Sequence, residues 1–96
     1  MHTLAAVDIE WDPAKAAANF KKHGVRFADA AISLEDPLGF SIPDPDTSGE
    51  ARMIFLGADP TGRVLVTVYT LRGRYTRIIS ARKASRAERR AYEANT

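Results

Sequence analysis

Eight cationic side chains fall between positions 72 and 90: Arg72, Arg74, Arg77, Arg82, Lys83, Arg86, Arg89 and Arg90. Glu88 is the single acid among them. A guanidinium is planar, stays charged, and grips a phosphate or a carboxylate through two parallel hydrogen bonds. So much of it on a small fold points to a polyanion or an acidic protein as partner. Within this stretch Arg77, Ser80 and Arg82 share one β-type run, RIISAR. Strict alternation sends Arg77 to the face opposite Ser80 and Arg82. The three share one site only if a bulge or a twisted strand end intervenes.

The charge is unevenly spread. Residues 1–50 carry four basic and nine acidic side chains, a net of −5, and residues 51–96 carry ten and three, a net of +7. The plain alternative is that folding mixes these charges in space. Ninety-six residues with 45% hydrophobic and 27% charged content fit one soluble domain with a modest core. The absence of cysteine excludes a disulfide framework and a thiolate metal site. His2 and His23 stand alone, without metal-binding spacing. No cofactor or metal is expected. No apolar run spans a bilayer, and MHTLAAVDIE has no basic leader region, so no membrane association and a cytoplasmic location are expected.

The elements that must position these groups can be read in order. Val7, Ile9 and Trp11 alternate with Asp8 and Glu10, which is strand periodicity. Asp12-Pro13 opens a helix, and the Ala-rich run sustains it. Lys21, Lys22 and His23 suit its negative end, and Gly24 stops it. A shorter helix is predicted over Ala28–Leu34, ended by Asp36-Pro37. Phe40–Ile42 and Met53–Leu56 read as strands around a polar segment, Pro43–Glu50. Asp59-Pro60-Thr61-Gly62 is a turn, and its surroundings do not resemble a phosphate-cradling loop. Val64–Thr70 and Tyr75–Ala81 form a hairpin. Ser85 and Glu88 make a capping box for a last helix through Ala94. The expected fold is α+β: a small antiparallel sheet with helices on one face, ordered β-α-α-β-β-β-β-α, with Met1–Ala6 a loose tail to a single domain.

Three segments together resemble the BrnT family of bacterial toxins. They are IEWDPAKAAANFKKHGVRF over 9–27, RVLVTVYT over 63–70, and RIISARKAS with ERRAYE over 77–93. The likeness runs from about Val7 to Glu93. It implies a RelE-like fold and a ribonuclease that cuts RNA and arrests translation. It also implies neutralisation by a BrnA-like antitoxin, whose dimeric ribbon-helix-helix part binds operator DNA and whose complex represses its own promoter. Two toxins flanking one antitoxin dimer is the expected assembly. The competing reading is a non-catalytic basic module that grips nucleic acid or a DNA-binding partner.

RNA carries its own nucleophile, the 2′-hydroxyl. A metal-free nuclease must remove that proton, neutralise the phosphate and protonate the leaving oxygen. Arg82 and Arg77, with Ser80, are the foremost candidates, Ser80 alternatively satisfying a buried backbone group. Arg63 would bind phosphate or merely blunt a sheet edge. His23 would be an acid–base group or a helix cap. Lys22, Lys83, Arg86 and Arg89 would contact RNA or form solvated faces, Arg86, Arg89 and Arg90 sharing one helical face. Tyr69 would stack on a base or pack beside the hairpin. Trp11 belongs to the core.

Overall fold

The computed structural model describes residues 8–45 and 51–95. The tail expected over Met1–Ala6 and positions 46–50 of the polar segment lie outside the described residues. The elements follow the expected order: β1 (Asp8–Glu10), α1 (Pro13–His23), α2 (Phe27–Ser33), β2 (Phe40–Pro43), β3 (Met53–Ala58), β4 (Val64–Arg72), β5 (Tyr75–Lys83) and α3 (Arg86–Ala94). The five strands make one sheet in the order β1-β5-β4-β3-β2.

The local signals act as their chemistry requires. The Asp12 carboxylate accepts the Ala14 N–H at 2.9 Å, and Pro13 starts α1 where no N–H is needed. Gly24 ends it at φ 69°, a conformation that side chains resist, and donates to Phe20 O at 2.8 Å. Gly73, at φ 59°, allows the tight return between β4 and β5. The capping box closes both ways: Glu88 N–H donates to Ser85 Oγ and Ser85 N–H to the Glu88 carboxylate.

Two expectations need correction. The sheet is mixed, because β1 runs parallel to β5, with Asp8 opposite Tyr75 and Glu10 opposite Arg77. Alternation reveals a strand but not the neighbour it joins. The helices also cover both faces rather than one. Val25, Phe27 and Ala30 from the α1–α2 side pack on Leu65, Ile78 and Ala81, joined by Ile9 and Trp11. Tyr92 of α3 packs instead with Leu56, Val64 and Val66. Val64, Leu65 and Val66 alternate across β4, so the two clusters lie on opposite sides. The cause is in the sequence: VLV is apolar at both parities, as a central strand buried on both faces must be.

Two polar residues tie the layers together. Asn19 of α1 is buried and bonds the edge of β5 that extends beyond β1. Its amide donates to Ala81 O at 2.8 Å and Val25 O at 3.1 Å, and its carbonyl accepts Ala81 N–H at 3.1 Å. A side-chain carboxamide thereby takes the place of a strand. On the other face the Tyr92 hydroxyl donates to Asp36 at 2.5 Å. Asp36 also accepts the Ala58 and Leu38 N–H groups at 2.8 and 2.9 Å.

Candidate functional site

The register of β5 against β4 slips between Val68 and Tyr69. Val68 lies opposite Ser80, but Tyr69 lies opposite Ile78, leaving Ile79 as an extra residue. This is a β-bulge, and it reverses the parity of the strand at that point. Arg77 lies opposite Thr70, Ser80 opposite Val68 and Arg82 opposite Val66. Thr70, Val68 and Val66 alternate on β4, so Arg77, Ser80 and Arg82 share one face, the face that α3 partly covers.

That face is built of cross-strand rows about 7 Å apart. One row reads Phe40, Leu56, Val66, Arg82; the next Ile42, Ile54, Val68, Ser80; the third carries Thr70, Arg77 and Glu10. Each arginine meets a carboxylate. Arg82 binds Glu88 of α3 in bidentate fashion, at 2.8 and 2.9 Å. The Arg82 hydrogen bonds, joined by those from Ser85, outweigh partial burial and hold Glu88 at a pKa of about 2. Arg82 is correspondingly pushed up by the Glu88 bond. Arg77 reaches Glu10 at 3.1 Å, and Arg74 reaches Asp8 at 2.7 Å. The acidic residues of β1 thus neutralise the basic strand beside it.

Other candidates occupy different ground. Lys83 lies opposite Leu65, on the side of α1 and α2. Asn19 pins α1 at Ala81, so Lys22 and His23, in the turn that follows, flank the same end of β5. Lys22 is exposed and His23 half-buried. Arg63 turns from this end toward the β3–β4 turn. Its Nε donates to the buried Asp59 carboxylate at 2.8 Å, and Asp29 of α2 lies 3.9 Å away. Burial raises Asp59, but bonds from Arg63 and Thr61 prevail and keep its pKa below the ordinary value. Tyr69 lies on the α1–α2 side of the sheet and shares a hydrogen bond with Ser41 Oγ at 2.9 Å. Arg86 and Arg89 are exposed on α3. The structure therefore joins Arg77, Ser80 and Arg82 and separates them from Arg63, His23, Lys22, Lys83 and Tyr69.

Three polar partners escaped the sequence reading: Glu10 and Glu88 on this face, and Asn19 on the opposite one. Glu88 had a signal, being the lone acid in the basic stretch. Glu10 and Asn19 had none, because their partners are strands distant in sequence. Among the described residues no three His, Asp or Glu side chains converge to hold a metal ion. The shared face can bind anions through two guanidiniums, with a hydroxyl between them and a carboxylate at each end.

A family model described as the ribonuclease toxin BrnT of a type II toxin–antitoxin system matches residues 11–88. The chain belongs to the BrnT family. The crystal structure of the Brucella abortus ribonuclease toxin BrnT is similar to it. The likeness has a TM-score of 0.63 and 26% identity, covering 83% of this chain and 99% of that one. Comparison with curated proteins finds no match. As a BrnT-family chain it is a ribonuclease toxin of a type II system, and such a system pairs its toxin with an antitoxin. Arg77, Ser80, Arg82 and Glu88 fall inside the BrnT match; Glu10, Arg89 and Arg90 fall outside it.

Proposed function

We propose that this chain is a metal-independent endoribonuclease that cuts RNA in the cytoplasm and so arrests translation. A BrnA-like ribbon-helix-helix antitoxin holds it in check in a complex of two toxins and two antitoxins, and operator DNA is met only through that antitoxin. The observation that carries the catalytic reading is the bulge at Ile79, which assembles Arg77, Ser80 and Arg82 on one face of a ribonuclease-toxin fold.

A single RNA strand laid along β5 meets these three residues in turn. Arg77 neutralises the phosphate under attack, and Arg82 holds a neighbouring phosphate. When the phosphate draws Arg77 away, the Glu10 carboxylate beside it takes the 2′-hydroxyl proton. The 2′-oxygen forms a bond to phosphorus, the bond from phosphorus to the 5′-oxygen breaks, and water protonates the leaving oxygen. The products are a 2′,3′-cyclic phosphate and a 5′-hydroxyl.

The test is cleavage of RNA by purified protein in excess chelator, with end-group analysis of the products. Activity lost in EDTA and restored by magnesium contradicts the mechanism. One observation favours the non-catalytic reading: Arg82 is already bound by Glu88. A basic module of that kind would retain RNA on a filter and yield no cut ends.

A further inference from the structure

The Arg82–Glu88 pair holds the arginine without filling it. A guanidinium is planar and carries five N–H bonds. Arg82 Nη1 donates to Glu88 Oε1 at 2.8 Å and Nη2 to Oε2 at 2.9 Å, so two parallel hydrogens go to one carboxylate. The other Nη1 hydrogen goes to Lys83 O at 3.2 Å. Two hydrogens remain, on Nε and Nη2, and among the described residues no acceptor meets them. Planarity makes these two parallel as well, on an edge turned about 120° from the edge that Glu88 takes. They form a second fork, the shape that grips two oxygens of one phosphate. The Arg82 side chain is 45% accessible, which leaves room for a ligand on the unfilled edge.

Glu88 is itself fixed. Its Oε1 also accepts the Ser85 N–H at 2.8 Å, and its own N–H donates to Ser85 Oγ at 3.1 Å. It stands in the first turn of α3, and α3 is pinned to the body by the Tyr92 hydroxyl on Asp36. A free arginine samples many rotamers and loses that freedom when it grips a ligand. Here the freedom is lost in folding, so an incoming phosphate meets a fork already aimed. Distance decides whether the carboxylate spoils the site. A phosphate on the open edge stands about 4 Å from the guanidinium carbon and about 7 Å from the Glu88 carboxyl, so attraction exceeds repulsion by about 1.7-fold. The positive end of α3 offsets the charge of Glu88 further.

We propose that Glu88 is a positioning residue for Arg82, fixing it from behind so that its Nε–Nη2 edge receives an RNA phosphate. The part of Arg82 as a phosphate ligand rests on the proposed function; the part of Glu88 is additional to it. In the opposite sense the same pair is a plug, with Glu88 competing against phosphate, and its removal strengthens binding.

The test uses Glu88→Ala, Glu88→Gln, Arg82→Ala and the double alanine variant in the full chain. The probe is mixed-sequence single-stranded RNA, fully 2′-O-methylated so that it lacks the nucleophile and reports binding alone, by fluorescence anisotropy. Glu88→Ala should weaken binding by about 10-fold, and Glu88→Gln, which keeps an acceptor but loses the paired carboxylate, by about threefold. In the Arg82→Ala background, removal of Glu88 should change binding by less than about twofold, because its effect passes through Arg82. Ser85→Ala removes the cap hydroxyl but leaves the Glu88 carboxylate, so it should melt earlier and bind RNA as the parent does. Melting curves check that each variant is folded; where Glu88→Ala is not, Glu88→Gln carries the same comparison. Tighter binding in Glu88→Ala makes the pair a plug and overturns the proposal. So do additive losses in the double variant, and so do equal losses in Glu88→Ala and Ser85→Ala, which assign the effect to the cap. A parent that shows the expected binding pattern but cuts no unmodified RNA contradicts the catalytic reading and leaves the positioning role standing; a parent that holds no RNA overturns both.

Discussion

Asn19 and Ala81, 62 positions apart, are joined by two hydrogen bonds, one in each direction between a side-chain amide and a strand's backbone. β1 is too short to pair with this part of β5, and the carboxamide supplies both missing partners. Replacing Asn19 by Ala leaves the Ala81 N–H and C=O buried and unmatched. The expected loss of stability is about 2–6 kcal/mol, since each of these two buried orphans costs about 1–3. Urea unfolding of Asn19→Ala measures it; a midpoint equal to the parent's refutes the pairing.

Arg77→Ala and Arg82→Ala should each lower toxicity without unfolding the chain. Both pairs are partly exposed, with arginine side chains 31% and 45% accessible, and such pairs contribute about 1 kcal/mol or less. A lost transition-state phosphate contact costs about 3 kcal/mol, or roughly 100-fold in rate. Growth arrest at matched expression, beside melting curves, separates the two. Full toxicity in both variants moves the RNA site to the other end group: His23, Lys22, Arg63 and Lys83.

Glu88 makes an acid-side prediction. Its folded pKa, about 2, lies below the ordinary 4.5. A depressed carboxylate stabilises the fold fully above the unfolded value and loses that contribution as pH falls through the folded one. Stability should therefore decline between about 4.5 and about 2. Glu88→Gln should flatten this slope. An unchanged slope in a denaturant series at stepped pH assigns the acid sensitivity elsewhere, to Asp36 and Asp59, which are also depressed.

Tyr92 makes the alkaline counterpart. The hydrogen bond to Asp36, together with burial, pushes its phenol up from 10 to about 12. The unfolded chain ionises first, so stability is complete below 10 and lost as pH rises through about 12. Tyr92→Phe should be less stable at neutral pH, through the lost Asp36 bond, and less sensitive across that window. Phenolate absorbance followed with circular dichroism checks both.

Much of the fold was legible because its signals are local. Asp12-Pro13, Gly24 and the Ser85–Glu88 box each act within one turn of chain, and the hairpin needs only its own residues. The face carrying the site was not legible, and the reason lies in Ile78-Ile79. Both residues are apolar, so the alternation loses phase there without showing where the extra residue falls. Only the partner strand fixes the slip. The position of α3 was hidden similarly: VLV on β4 signals two buried faces, but not which helix covers each. Tyr69 illustrates the opposite error, an aromatic near the basic strand in sequence that projects to the far side.

The β1–β5 pairing also orders events in time. Glu10 and Arg77 are separated by 67 positions, and among the described residues the strand bearing Glu10 has no other neighbour in the sheet. At about 5–20 residues per second, translation makes Arg77 roughly 3–13 s after Glu10. Until then the first strand has nothing to dock against, and the carboxylate and guanidinium cannot meet. The face that carries Arg77, Ser80 and Arg82 is therefore completed only after most of the chain has been made, and a fragment cut short before β5 lacks it altogether.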